Sequence, residues 1–256
     1  MQPNHRLLEA VEQIAERAAA VVLRIYRSDF TVDTKSDATP VTLADQQAET
    51  VILEGLAVID PATPVIAEES VAAGHIPTID PAGRFWLVDP LDGTREFIDR
   101  NGEFTVNIAL IEAGLPLLGV VVAPAIGAMY TGLVGLGAWR VDPSGRHPIR
   151  CRPVPEEGLA VVASRSHGDE RALDAFLAGR RVASRVNAGS SLKLCLLAEG
   201  RADLYPRLGR TMEWDIAAGH AVLAAAGGRV CRIEDGRPLR YGKAGFENPH
   251  FFAAGH

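Results

Sequence analysis

Trp86-Leu87-Val88-Asp89-Pro90-Leu91-Asp92-Gly93-Thr94 runs from an apolar, strand-like segment straight into two carboxylates set three residues apart across a proline. Asp89 and Asp92 offer hard oxygen ligands of the kind magnesium takes. Pro90 stiffens its own backbone and that of Asp89, and Gly93 permits a tight reversal before Thr94 opens the next segment. The stretch has two readings. Asp-Pro and Asp-Gly pairs are ordinary turn chemistry, and two acids on a rigid turn are half of a metal site.

Working outward, Leu7, Val11, Ile14, Ala18, Val21 and Ile25 recur at steps of three and four among charged residues, which predicts a helix packed on one face. A second helix is expected after Thr42. The polar stretch between them, Thr31 to Pro40, reads as a loop or short hairpin, and Pro64 to Ala67 as a short buried strand ending in Glu68-Glu69. From Phe104 to Arg140, apolar β-branched runs alternate with turns at Gly114-Leu115-Pro116 and Pro124-Ala125-Ile126-Gly127, predicting an antiparallel meander. Beyond it come strands at Leu159–Ala163, Arg181–Val186 and Asp203–Tyr205, with helices at Asp169–Ala178, Ser190–Glu199 and Trp214–Ala226. Such alternation belongs to a mixed α/β class. The proline-rich and basic segment Pro143 to Pro155 marks a boundary between an N-terminal α+β half, 1–145, and a C-terminal α/β half, 146–256, closely packed on each other.

At 256 residues, 47% hydrophobic and 23% charged, the composition is that of an ordinary globular protein. The formal charge of -6 argues against a nucleic-acid duplex as partner, because backbone binding rests on lysine and arginine. A small anionic substrate then needs a local reversal of sign, which bound divalent cations supply. Cys151, Cys195 and Cys231 form no Cys-x-x-Cys pair, so neither zinc site nor disulfide framework is indicated. The amphipathic N-terminus and the lack of any run of about 20 apolar residues give the expectation of a cytoplasmic protein with no transmembrane segment. Gly236 to Lys243 has five residues between its glycine pair and Ala244 after the lysine, so it is not a phosphate-binding P-loop.

Four acids stand where elements begin or end: Glu68, Asp89, Asp92 and Asp215. Each alone has a structural reading. Glu68 is then a solvated loop acid and Asp215 a helix cap, while Asp45 completes a Thr-x-x-Asp capping box with Thr42. Taken together and in order, Ala67-Glu68-Glu69-Ser70, Asp89-Pro90-Leu91-Asp92-Gly93-Thr94 and Trp214-Asp215-Ile216-Ala217-Ala218-Gly219 resemble the signatures of a known family. These are the magnesium-dependent, lithium-sensitive phosphatases that include inositol monophosphatase and 3'(2'),5'-bisphosphate nucleotidase. The resemblance runs from Lys35 and the Asp45 segment to Asn248-Pro249.

The resemblance implies a layered α/β/α/β/α sandwich and two or more magnesium ions. Glu68, Asp89 and the Leu91 carbonyl would hold one ion; Asp89, Asp92 and Asp215 would hold the second, with Asp89 bridging. Thr94 and Asp45 would orient and deprotonate the attacking water, with Glu68 counted among the catalytic residues. The Gly93 and Thr94 amides would bind phosphate, and Lys35 would add charge from a loop on the metal side.

The words around this core resemble the bacterial bisphosphate nucleotidase branch: Glu96 after Thr94-Arg95, the run Asn101-Gly102-Glu103-Phe104, and the block Gly189-Ser190-Ser191-Leu192-Lys193. That branch implies substrate contacts from His167, Ser190, Lys193, Arg207 and Asp215, with a phosphorylated nucleotide as partner and a role in clearing a by-product of sulfate assimilation. Outside the metal core each has a plainer reading as well: Ser190 as a helix cap, Lys193 as a solvated face, His167 as a loop histidine. Glu213 departs from the neutral residue of some nucleotidases. Two other functions share the same core, an inositol or other sugar monophosphatase and a non-catalytic magnesium- or nucleotide-binding protein. Oligomeric state is left open.

Overall fold

The computed structural model describes residues 4–34, 40–164 and 170–255. Helix α1 (His5–Tyr26) starts at Asn4, whose side chain accepts the Leu7 amide at 3.1 Å, and it buries Leu7, Val11, Ile14, Ala18, Val22 and Ile25 along one stripe. The strands β1 (Val32–Thr34) and β2 (Pro40–Thr42) pair antiparallel, and α2 (Leu43–Ile59) follows at once. Next come β3 (Val65–Ala67), the short α3 (Glu68–Ala72), β4 (Arg84–Asp92) and the short α4 (Thr94–Ile98). The meander is β5 (Thr105–Glu112), β6 (Leu115–Ala123), β7 (Ala128–Leu133), β8 (Gly137–Asp142) and β9 (Gly145–Ile149). The remainder is β10 (Leu159–Ser164), α5 (Glu170–Leu177), β11 (Val182–Ala188), α6 (Leu192–Ala198), β12 (Leu204–Arg207), α7 (Glu213–Ala225), β13 (Arg229–Arg232) and β14 (Phe251–Ala254).

Two large sheets organise these elements. One has seven strands in sequence order from β3 to β9, parallel only at β3–β4, and the other has five in the order β11-β10-β12-β14-β13. Helices α1 and α2 cover one face of the larger sheet, where Leu8, Ile14, Ile52, Trp86, Val106, Ile108 and Val120 share a core. Its other face and the smaller sheet enclose α6 and α7, through Leu87, Val121, Leu194, Ala217, Val222, Tyr205 and Phe251. On the outer face of the smaller sheet Leu173, Phe176 and Leu177 of α5 meet Val161, Leu204 and Phe252. The result is the expected α/β/α/β/α sandwich. At about 1.5–3 kcal/mol for each large side chain fully buried, the three cores supply the main favourable term.

The central layer is thin because α7 lies almost on the sheet. A Cβ on Gly119 would collide with the Ala218 carbonyl and the Ala221 side chain, and one on Gly132 would come within 2.7 Å of the Val222 Cα. Only glycine on β6 and β7 lets the helix approach so closely. Among the described residues no helix is long and apolar enough to cross a membrane. Cys151, Cys195 and Cys231 are free and buried.

Two local expectations change. Asp89-Pro90-Leu91-Asp92 is not a turn that ends a strand: β4 continues through it, with Asp89 opposite Asn107 and Asp92 opposite Thr105, so one extra residue is pushed out as a bulge. Strand β3 stops where Ala67 pairs with Val88, and Pro90 falls inside the irregularity facing β5, a place where proline is tolerated. Ser190 is not at a helix start either. Helix α6 begins at Leu192, and Ser190 sits before it with φ at 44°, in the left-handed region.

Candidate active site

The bulge of β4 aims two carboxylates and a carbonyl out of the sheet's end, and two helices complete the ring of acids. Glu68 opens α3 directly after β3, and Asp215 is the third residue of α7. Together with Asp89, Leu91, Asp92, Gly93, Thr94, Ser190, Lys193 and Arg207 they line one cavity of about 490 Å³. Asp45 does not line it. Its Oδ2 accepts the Thr42 amide at 2.7 Å and the Thr42 hydroxyl at 2.8 Å, closing the capping box of α2. His167 and Lys35 fall outside the described residues.

Burial is the largest force on the acids. It raises the Asp89 carboxyl well above its usual range, and Glu68, Asp92 and Asp215 raise it further by repulsion, against one amide from Leu91. Asp215 is raised for the same reasons, by burial first and then by Asp92 and Glu68, with the Met212 amide and Arg207 opposing. Asp92 is pushed up to about 6 by burial, with Lys193 as the main opposing charge and Glu96 and Glu68 adding to the rise. Among the described residues no three such side chains close into a finished coordination shell. Instead Asp89 turns Oδ1 onto the Leu91 amide at 3.0 Å and Asp215 turns Oδ2 onto the Met212 amide at 2.9 Å, leaving each a second oxygen. The donors are all hard oxygens, with no sulfur or imidazole, which suits magnesium or a similar divalent cation.

The same cavity is also lined by basic residues, with Glu96 beside them. Arg95 and Arg210 are exposed and line the cavity, and Arg207 lines it while buried. Arg207 donates Nη2 to the Arg210 carbonyl at 2.7 Å and its side chain bonds the Tyr205 hydroxyl, while among the described residues its Nε and the Ser190 hydroxyl are buried with no hydrogen-bond partner. Both residues line the cavity, so a bound anion has donors to meet there. Lys193 Nζ donates to the Ser190 carbonyl at 2.6 Å and lies 5.5 Å from the Tyr205 ring centroid. Burial drags its pKa down to about 8, with Asp92 the largest opposing influence.

Several residues that hold the site were not singled out by sequence reasoning. Glu103 accepts the Gly189 amide at 2.7 Å and so ties the Ser190 segment to the loop before β5. Ser191 donates to the Asp215 carbonyl at 2.5 Å and accepts from Asn107 at 3.1 Å, joining α6, α7 and β5. Ser191 stands in one of the quoted words, but its bonding role is not legible there, because its partners lie 24 and 84 residues away. Glu213, suspected of bearing on nucleotide selectivity, does not line the cavity. It is fully buried, accepts the Gly242 and Lys243 amides at 2.8 and 2.9 Å, and pairs with Lys243 Nζ at 2.6 Å.

Further along α7, His220 faces Tyr241 with Nδ1 and the phenolic oxygen 2.8 Å apart, and burial alone lowers its pKa to about 3. The unfolded chain takes up a proton near pH 6.5 that the folded chain refuses, so stability is intact above that pH and lost as pH falls towards 3. By pH 5 the loss is about 2 kcal/mol. Urea melts at pH 7.5 and 5 will show His220→Gln gaining about 2 kcal/mol on the parent between the two pH values; an unchanged difference between variant and parent would mean that His220 carries none of the acid response.

With the geometry in place, comparison with known proteins gives a consistent picture. The pattern of the inositol monophosphatase family matches residues 4–251. The 3'(2'),5'-bisphosphate nucleotidase CysQ of Escherichia coli K12 is 45% identical over 256 residues, covering 96% of this chain and 98% of that protein. The crystal structure of CysQ from Bacteroides thetaiotaomicron superposes with a TM-score of 0.82 at 34% identity, covering 98% and 97% of the two chains. An inositol monophosphatase from Anabaena gives 0.76 at 27% identity, covering 98% and 90%. The chain belongs to the inositol monophosphatase family.

Proposed function

We propose that this chain removes the 3'-phosphate of adenosine 3',5'-bisphosphate, giving AMP and inorganic phosphate, in the service of sulfate assimilation. The observation that carries the reading is a single cavity with four repelling carboxylates at its floor and arginines at its rim. An acidic floor excludes a phosphate unless cations intervene, and a basic rim suits a substrate with a second anionic group. The bacterial relative's activity, that of a 3'(2'),5'-bisphosphate nucleotidase, supports that class of substrate.

Glu68, Asp89, the Leu91 carbonyl, Asp92 and Asp215 would hold magnesium. When bound, such ions supply positive charge that orients phosphate, acidifies a water and stabilises the leaving oxygen. The chain does the rest. Thr94 lines the cavity, its hydroxyl 3.4 Å from the Leu91 carbonyl, and it orients the attacking water. Asp45, which the family resemblance implies as the base, would act with Thr94 to take the proton. The water oxygen forms its bond to phosphorus as the bond to the ribose 3'-oxygen breaks, and a proton returns to that oxygen. The Gly93 and Thr94 amides receive the transferred phosphate. Ser190 and Arg207, with donors unmet, take the second phosphate, and Lys193 holds the Ser190 segment in place from below.

Side-by-side assays with magnesium test the reading. The bisphosphate nucleotide is expected to exceed inositol 1-phosphate by roughly 100-fold in kcat/KM, since unmet polar groups penalise a substrate that lacks the second phosphate. Preference for inositol 1-phosphate would move the chain to the sugar phosphatase branch. Magnesium binding without phosphate release from either ester would make it a binding protein.

A further inference from the structure

We infer that Glu49 is the positioning residue for Glu68, fixing from α2 the turn on which that ligand stands. Helix α3 is five residues long, Ala67 gives it no side-chain cap, and none of its residues is buried. A helix so short does not hold itself. Glu49, 5% exposed, supplies what is missing: Oε2 accepts the Glu69 amide at 2.8 Å, while Oε1 accepts the Ser70 amide at 2.8 Å and the Ser70 hydroxyl at 2.6 Å. One carboxylate thus satisfies two amides of the first turn from 20 residues away, with charge-assisted bonds that fix the backbone directly after Glu68. Both oxygens face α3 and Glu49 does not line the cavity, so it is not itself a ligand. The inference rests on the reading of Glu68 as a metal ligand.

The test is magnesium binding by titration calorimetry on the whole chain, with turnover and amide hydrogen exchange measured beside it. Glu49→Gln presents a donor to amides that need acceptors, so the Glu69 and Ser70 amides will exchange faster and magnesium affinity will fall about 10- to 100-fold. Raising magnesium will restore most of kcat, a recovery that a merely damaged fold does not give. Ser70→Ala removes one of the three bonds and will shift affinity the same way by less, which keeps the test sound if Glu49→Gln fails to fold. Added to Glu68→Gln, Glu49→Gln will bring no further loss, because both act on one ligand. Unchanged magnesium affinity in Glu49→Gln and Ser70→Ala beside a weakened Glu68→Gln overturns the inference alone. Unchanged affinity in Glu68→Gln overturns the ligand assignment, and the inference with it.

Discussion

Asp92→Asn will fold like the parent chain and lose roughly 10³-fold or more in turnover, about 4 kcal/mol of barrier. The side chain is nearly isosteric, and its place in the ladder opposite Thr105 depends on backbone alone, so the bulge survives. What goes is charge. Asp92 is one of the acids offered to the cations, and the substitution removes a ligand that holds positive charge against the phosphate. It also removes the carboxylate that most favours a charged Lys193, which burial already pulls down to about 8. One substitution therefore weakens both the floor and the support of the Ser190 segment. The measurement is kcat on the bisphosphate nucleotide at saturating magnesium, with near-ultraviolet circular dichroism as the check on fold. Activity within tenfold of the parent would place the chemistry elsewhere.

Asp89→Asn is expected to abolish turnover while making the metal-free protein more stable, a pair of effects with opposite signs. Asp89 is 1% exposed and is pressed by three neighbouring carboxylates. Neutralising it relieves burial and repulsion together, as strained functional sites often allow, by about 1–3 kcal/mol or roughly 2–10 °C in Tm. The sign with pH follows from the same shifts. Asp89, Asp92 and Asp215 all have folded pKa values above their unfolded value near 3.9, so their contribution is greatest below that pH. It is lost as pH rises, through about 6 for Asp92. In chelator, the parent will lose stability from these groups between pH 4 and 7, and magnesium at pH 7 will restore it. Asp89→Asn will flatten both responses in calorimetric scans. A variant that melts below the parent in chelator would mean that Asp89 is a structural acid.

Much of this site was legible because its chemistry is packed into short words. Three signature segments contain Glu68, Asp89, Leu91, Asp92 and Asp215, and all five meet in one cavity although their elements come from separate layers. The meander was legible too, since β5, β6 and β7 alternate with turns that announce themselves by glycine and proline. Ser190 shows where local reasoning stopped. Its spacing to Lys193 fits a helix, but Lys193 bonding back to the Ser190 carbonyl and Glu103 gripping the Gly189 amide hold the segment in a left-handed kink. Those forces come from residues far along the chain. Asp45 was legible as a cap of its own helix from the Thr-x-x-Asp spacing, but Glu49, one turn on along α2, left no trace, because the amides it accepts lie on α3, 20 and 21 residues away.

The close seating of α7 on Gly119 and Gly132 bears on how this enzyme could be re-engineered. Because the helix that carries Asp215 rests backbone to backbone on the sheet, no slack exists there to absorb a larger side chain, and diversity introduced along that seam would be spent on misfolded clones. Arg95 and Arg210 line the cavity from exposed positions away from that seam, and they are where a library aimed at new phosphate esters has room to vary.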